Sequence, residues 1–173
     1  MTSTDLLVES FERIRDAVYP TVNGLSPNDL AFRPEAESNS IAWLVWHLTR
    51  VQDAQVALLD ESEQVWTGKG WAARFALPLD VADTGYGHDP ETVAVVTGDS
   101  SSLLGYYEDA HDKTLAFVRS LGESELSRVV DADWDPPVTV SIRLVNVIVD
   151  DLQHVGQAAY VRGILQRRLA RER

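Results

Sequence analysis

A chain of 173 residues with 45% hydrophobic and 24% charged residues has enough apolar side chains to bury the core of one ordinary globular domain. Its net charge of −12 argues against nucleic acid as a partner, and the absence of a long apolar run argues against a membrane span. With no cysteine, the chain has no disulfide or thiol chemistry of its own, and we expect a cytoplasmic protein without a membrane partner.

The first helix is predicted to begin at Thr4 or Asp5, because either side chain can cap it. It should end before Asn23 and Gly24, with Pro20 disturbing its last turn. Apolar residues spaced three and four apart give its buried face: Leu6, Leu7, Phe11, Ile14 and Val18.

The second long helix is predicted to start at 38–40 and to run to about Asp60. Its first turns are apolar on nearly all sides, so we expect it to be buried against more than one neighbour. Positions 40, 44, 47, 51, 55 and 58 form one face of this helix, and His47 is the one ionisable residue on that face. A lone histidine in an apolar helix is more often a hydrogen-bonded core residue than a metal ligand, so taken alone it favours the structural interpretation.

A long connection, from residue 61 to about residue 98, follows this helix and is rich in tryptophan, tyrosine and glycine. So much aromatic surface should pack down on the helices, and we expect the connection to cover one end of the bundle and to shape the mouth of a pocket. His88, between Gly87 and Asp89, is a candidate polar residue of that pocket. A solvated loop histidine is the more common alternative.

The third helix is predicted from about Asp99 to Leu121, with His111 at the surface or at its boundary. After an extended linker at 131–137, the fourth helix should begin near Ser141 and end near Leu169. Two short runs, at 93–96 and 138–140, are candidate extended pieces, but no set of strands exists to pair them. We therefore predict an all-α four-helix bundle with a long, partly helical connection between its second and third helices.

A polar pair interrupts the apolar face of the fourth helix. Asp150 and His154 are four residues apart and point from the face that also carries apolar residues at 147, 161 and 165. A carboxylate and an imidazole in such a stripe must be paired, hydrogen-bonded or bound to a metal, because bare burial is costly. His47 can supply the missing third group, and three ligands from two helices is a recurring arrangement in bundle cores. Asp151, about 100° round the helix, is expected to face solvent, and it is the alternative ligand if the register of the helix differs.

These residues carry a resemblance. The segment Ser-Ile-Ala-Trp-Leu-Val-Trp-His-Leu at 40–48, followed by Asp150, His154 and Gly156–Gln157, resembles the DinB/YfiT-like superfamily. More narrowly, it resembles the actinobacterial branch that includes mycothiol-dependent enzymes. The resemblance spans nearly the whole chain and implies one DinB-like domain over residues 1–173. It further implies a divalent metal held by His47 and by positions 150 and 154.

The chain departs from the family pattern at one ligand, because Asp150 stands where the family has histidine. Two histidines and one carboxylate still form a competent ligand set for Zn, Ni or Fe and leave positions open for substrate. Near this set, residues of the pocket or its support are predicted at Gln157, Tyr160, His88, Tyr86 and Arg74. No residue is assigned as catalytic.

The function that the resemblance implies is metal-dependent chemistry on a small-molecule substrate. We expect an S-transferase or isomerase that uses mycothiol or a similar low-molecular-weight thiol as co-substrate. One alternative is a non-catalytic metal-binding or interaction module of the same fold, and another is a purely structural bundle. We also expect a homodimer formed through an apolar helix face. Trp43 and Trp46 are candidates for such a face, although core packing is their favoured role.

Overall fold

A computed structural model describes residues 2–172. In chain order the helices are α1 (Ser3–Val22), α2 (Pro27–Leu30), α3 (Ile41–Asp60), α4 (Val65–Gly68), α5 (Trp71–Phe75), α6 (Pro90–Val95), α7 (Ser100–Ser120), α8 (Glu123–Leu126) and α9 (Val140–Arg171). A hairpin of β1 (Val129–Asp131) and β2 (Val138–Thr139) precedes α9. Between residues 2 and 172, no helix combines the length and the apolar character that a membrane span requires.

The four long helices form the bundle that the periodicity predicts. α1 and α3 each pack against both α7 and α9, so α1 lies diagonally opposite α3 and α7 lies diagonally opposite α9. Every long helix therefore buries two adjacent sides rather than one stripe. The prediction of an all-α four-helix bundle is confirmed.

Side-chain caps fix where the long helices begin. Thr2 caps α1 in a capping box with Asp5, so this helix starts slightly earlier than the predicted cap at Thr4 or Asp5. Ser40 and Thr139 accept from the backbone N–H groups three residues ahead and cap α3 and α9. Pro20 lies inside the last turn of α1 without ending the helix, which continues to Val22.

The hairpin before α9 corrects the expectation that the chain has no convincing strand. β1 and β2 pair antiparallel, with Val129 opposite Thr139 and Asp131 opposite Val138. Strands of three and two residues are too short to leave an alternating pattern in a sequence. The other candidate extended run, at 93–96, lies largely within α6 instead.

The connection between α3 and α7 packs down on the bundle as predicted, and buried polar groups of α3 hold it there. The fully buried Arg50 donates from Nε to the backbone carbonyl of Asp83 at 3.1 Å. The carboxylate of Asp53 accepts from the backbone N–H groups of Val65 and Trp66, both at 2.8 Å, at the start of α4. The position of the connection relative to α3 is therefore set by charged side chains of α3 itself.

Candidate metal centre

Three side chains from two helices converge on one point between α3 and α9. His47 of α3 and Asp150 and His154 of α9 each offer one ligand atom, and these atoms lie within 4.8 Å of one another. In the described part of the chain this is the one group of three or more such residues with that spacing. His47 is buried, whereas Asp150 and His154 are half-buried. The structure thus brings together the three residues that the sequence singles out.

The apolar residues of α9 explain why its polar pair faces α3. Val147 and Val161 are 2% and 7% exposed, and both lie on the same side of the helix as Asp150 and His154. Burying this stripe against α3 carries the pair into the interface, where His47 enters from the opposite helix. The imidazole rings of His47 and His154 lie 4.6 Å apart, centroid to centroid, in an edge-on arrangement.

Backbone carbonyls set the tautomer of both imidazoles. Nδ1 of His47 lies 2.5 Å from the carbonyl oxygen of Thr84, and Nδ1 of His154 lies 2.8 Å from the carbonyl oxygen of Asp150. A carbonyl only accepts hydrogen bonds, so each Nδ1 carries the proton and each Nε2 keeps a free lone pair. Both histidines are therefore held in the tautomer that can bind a cation through Nε2.

Charge and burial favour a cation at the same point. Burial lowers the pKa of His47, against the opposing effect of the Thr84 carbonyl, so this imidazole is mostly neutral at neutral pH. The neutral form is the one that binds metals. Oδ2 of Asp150 is buried and has no hydrogen-bond partner among the described residues. A buried carboxylate oxygen without a donor is the atom that a cation would satisfy.

A chain of contacts behind His47 holds its ring in place. The indole of Trp43 stacks on the imidazole, with centroids 4.6 Å apart and planes 10° from parallel. Nε1 of Trp43 donates to Nδ1 of His88 at 3.1 Å, and Nε2 of His88 donates to the carboxylate of Asp83 at 2.9 Å. The His88 side chain is 7% exposed, so the alternative of a solvated loop histidine is wrong. His88 acts on the cluster through Trp43, since both of its ring nitrogens are already used.

Gly85 lets the connection approach the ring of His47 this closely. Its φ is +92°, and a Cβ atom at this position would lie 2.8 Å from Nδ1 of His47. Any side chain would therefore force the imidazole, a neighbouring indole or this turn to move. The sequence shows a glycine-rich turn here, but no local pattern tells which distant residue the turn contacts.

A cavity of about 330 Å³ opens beside the cluster. Tyr86, which is 92% exposed, stands at its mouth. The cavity is lined by His47, Val51, Gln55, Thr84, Tyr86, Arg143, Asn146, Val147 and Asp150. The connection thus contributes to the wall of a pocket next to His47 and Asp150. Arg143 was not predicted, because an arginine near a helix start gives no signal of the pocket it enters.

The other predicted pocket residues lie elsewhere. Gln157 and Tyr160 line a second cleft of about 560 Å³, together with Leu44 of α3. Both are exposed, and in the described chain no hydrogen bond joins Gln157 to His154. Arg74 stacks its guanidinium on Trp71 at 4.6 Å, on the short α5 that packs against α7. The structure therefore does not place Arg74 in contact with the cluster.

Two expectations of solvent exposure are wrong. Asp151 is fully buried, and burial raises the pKa of its carboxyl well above the ordinary value. His111 is 1% exposed, with Nε2 3.5 Å from a carboxylate oxygen of Glu12 on α1. The reason is shared: α7 and α9 each pack against two helices, so positions about 100° from the first buried face are also buried.

A family model and a solved structure are similar to this chain. The sequence model of the family described as mycothiol-S-transferase matches residues 6–167. A crystal structure described as the conserved protein of locus from Enterococcus faecalis has a TM-score of 0.88 and 32% sequence identity. That similarity covers 94% of this chain and 96% of the other chain. No curated protein matches this chain.

Proposed function

Because the chain belongs to the mycothiol-S-transferase family, we propose that it is a divalent-metal-dependent enzyme that transfers, or isomerises substrates through, a low-molecular-weight thiol of the mycothiol type. The observation that carries this proposal is the convergence of His47, Asp150 and His154 within 4.8 Å, beside a cavity large enough for a small substrate. Activity on such a substrate would take place in that cavity.

The three side chains fit a divalent metal. Two imidazoles present free Nε2 atoms, since their Nδ1 atoms donate to backbone carbonyls, and Asp150 presents a buried oxygen to which no residue from 2 to 172 donates. Nitrogen and carboxylate ligands of this kind are compatible with Zn, Ni or Fe. A metal held by three protein ligands keeps a position open for substrate, and when bound it would take the thiol sulfur and lower the thiol pKa.

The remaining residues of the site orient these groups and limit access of water. Trp43 covers one face of the His47 imidazole, and Val147 lies beneath the cluster on α9. The carbonyl of Thr84 fixes the tautomer of His47, so the ring does not have to reorganise when substrate enters. Tyr86 stands at the open side and is placed to contact a substrate as it enters the cavity.

Consumption of mycothiol in the presence of an electrophilic acceptor tests the proposal. Metal-loaded wild-type protein should consume the thiol faster than the uncatalysed reaction, and His154→Ala should lose this activity while keeping its helical circular dichroism. Gln157→Ala is the matched control, because Gln157 is one turn further along α9 and outside the cluster. Equal turnover in folded His154→Ala protein would contradict the proposal.

A dimeric interaction module is the second candidate, and one observation favours it. Four apolar residues on one face of α9 are 40–49% exposed: Ile142, Val145, Val149 and Leu152. Trp43 and Trp46 are not available for such a contact, because they are 6% and 1% exposed. We propose that two copies of the chain pair through the α9 stripe, because the same stripe on a second copy can cover it symmetrically.

Light scattering of the purified protein tests the dimer. Wild type should have twice the mass of one chain, and Val149→Glu should be a monomer because a charge would enter the apolar contact. Val81→Glu is the control, since Val81 is 54% exposed and lies on the connection rather than on α9. A wild-type protein that is monomeric at high concentration would rule the dimer out.

A further inference from the structure

A positively charged side chain, that of Arg143, lines the cavity beside the cluster, and metal binding by the cluster gives this side chain no role. Arg143 lies seven residues before Asp150, which places the two on nearly the same face of α9 and about 10 Å apart along its axis. Its side chain is 22% exposed. Nη1 donates to Oε1 of Gln55 at 3.2 Å, and Nη2 lies 3.5 Å from Oδ2 of Asp131. Contacts to α3 and β1 therefore fix the plane of the guanidinium at the wall of the cavity.

The guanidinium retains unused hydrogen-bonding capacity. Nε of Arg143 is buried and has no hydrogen-bond partner among residues 2–172. Buried donors almost always have a partner, and a guanidinium offers five N–H groups of which the two protein contacts use only part. The ion pair with Asp131 is weakened by its 3.5 Å separation and by partial exposure on both sides. The side chain is thus held in position but not saturated.

The charges around the cavity favour an anion. Among the residues that line it, Arg143 is the one cation and Asp150 is the one anion. A divalent ion at the cluster would make the cavity net positive, although the whole chain carries −12. A positive recess in an acidic protein concentrates small anions and repels cations.

We propose that Arg143 binds the carboxylate of the electrophilic acceptor, so that the substrate class is a small carboxylic acid. This inference rests on the proposed thiol chemistry, because the acceptor must lie between Arg143 and the His47–Asp150–His154 cluster. A carboxylate matches the planar fork of a guanidinium with two parallel hydrogen bonds. The volume of about 330 Å³ is at the small end of ligand sites and fits a small acid.

Two matched probes test the inference by binding rather than by activity. The first is ω-mercaptohexanoate, whose thiol can reach the cluster while its carboxylate reaches Arg143, and the second is the neutral ω-mercaptohexanamide. Titration of cobalt-loaded protein, followed by its visible spectrum, gives the dissociation constant of each. Wild type should bind the acid at least about tenfold more tightly than the amide, which corresponds to ~1.4 kcal/mol. In Arg143→Gln this preference should disappear.

Two further variants separate recognition from structural support. Arg13→Gln is the control, because Arg13 pairs with Glu9 on the exposed side of α1 and its loss should leave the preference intact. Asp131→Asn should increase the preference for the acid, since it removes the carboxylate that competes for the guanidinium. This variant also keeps the test decisive if Arg143→Gln does not fold. A lower stability of Arg143→Gln with an unchanged preference would overturn the inference.

The outcomes distinguish the inference from the proposed function on which it rests. If wild type binds both thiols equally well, the carboxylate assignment is wrong while thiol binding at the cluster stands. If neither thiol binds to metal-loaded protein, the thiol chemistry and the carboxylate assignment are both wrong. A preference for the acid that Arg143→Gln abolishes and Asp131→Asn increases supports the assignment.

Discussion

At His47, three neighbours act on one imidazole ring. Trp43 covers a face, the Thr84 carbonyl accepts from Nδ1, and Gly85 lies against the edge. Together these contacts restrict rotation of the ring, fix its tautomer and keep water away from Nδ1. A metal ligand held in this way has less to lose when it binds an ion. The site is therefore organised before any ion binds to it.

Gly85→Ala tests whether this organisation matters. The added Cβ would stand 2.8 Å from Nδ1 of His47, 3.0 Å from the indole of Trp46 and 3.2 Å from that of Trp43, so the imidazole, an indole or the turn must move. We expect metal affinity to fall about 10- to 100-fold, as is typical when a ligand loses its supporting hydrogen bond. Competition with a metal-binding dye measures the affinity.

Gly87→Ala is the matched control for this prediction. Gly87 also has a positive φ, of +75°, but a Cβ there would meet no atom within 4 Å. Both variants carry the backbone strain of alanine in the left-handed region, and only Gly85→Ala adds the contact with His47. If both lose metal affinity equally, strain in the turn explains the effect and the Thr84 contact does not.

His111 gives the chain a pH dependence of stability away from the His47–Asp150–His154 cluster. Burial lowers the pKa of His111 below its ordinary value of 6.5, while the carboxylates of Glu12 and Glu108 oppose this and Arg15 adds to it. Below about pH 6.5 the unfolded chain takes up a proton that the native protein refuses, so stability falls as the pH is lowered. Above that pH the imidazole is neutral in both states, and this loss is absent.

Thermal unfolding across this range measures the contribution of His111. Wild type should lose more stability than His111→Gln when the pH is lowered from about 8 to about 5.5, because glutamine cannot take up the proton. The burial-lowered pKa of His47 acts in the same direction in both proteins, so it cancels in the comparison. Identical pH profiles for the two proteins would show that His111 titrates alike in the folded and unfolded states.

The sequence predicts residues of the cluster better than the residues that support them. His47, Asp150 and His154 are visible because a polar group in an apolar stripe is unusual and needs a partner. Thr84 takes part through its backbone carbonyl, which no residue type reveals. Asp151 and His111 were expected at the surface because a single-face pattern ignores the second neighbouring helix.

At the level of elements, Arg50 joins α3 to the connection that carries Thr84 and Gly85. Its side chain is fully buried and donates to the backbone carbonyls of Asp83 and Val81, at 3.1 and 3.3 Å. It also lies 3.8 Å from the carboxylate of Asp53. The segment that contacts His47 is therefore tied to α3 one turn further along the same helix.

Arg50→Met should loosen this segment and destabilise the protein. Removing one partner of a buried, hydrogen-bonded charge pair costs about 3–5 kcal/mol, because the remaining carboxylate stays buried. Chemical denaturation measures the loss, and hydrogen exchange should show faster exchange in residues 81–88. Arg15→Met is the control, since its pair with Glu108 is 42% and 29% exposed and is worth at most about 1 kcal/mol.

Equal stabilities for these two variants would show that Arg50 does not hold the connection in place.

The long helices themselves are predictable, because spacings of three and four residues and caps at Ser40 and Asp99 are local signals. The path of the connection is not, because it depends on contacts such as Arg50 to Asp83 that join residues 33 positions apart. The β1–β2 hairpin was missed because its strands are too short to leave an alternating pattern in the sequence.

At the scale of the whole molecule, the bundle places a polar cluster where two helices meet while its apolar faces hold them together. α3 and α9 are adjacent in space but separated in the chain by the connection and α7. The order of the helices and one buried face of each followed from periodicity and resemblance, and the second buried face did not. The depth of the cluster and the cavity beside it depended on the packing of both helices, which the sequence does not specify.

Metal analysis of protein purified without an affinity tag decides whether His47, Asp150 and His154 hold an ion. We expect about one equivalent of a divalent metal per chain in wild type, and its loss in His47→Ala and in His154→Ala with the helical fold retained. The His88→Ala control should retain metal with weakened affinity, because His88 supports the site only through Trp43. Wild-type protein without stoichiometric metal, and with stability unchanged by His47→Ala, would show that these three residues do not form a metal site.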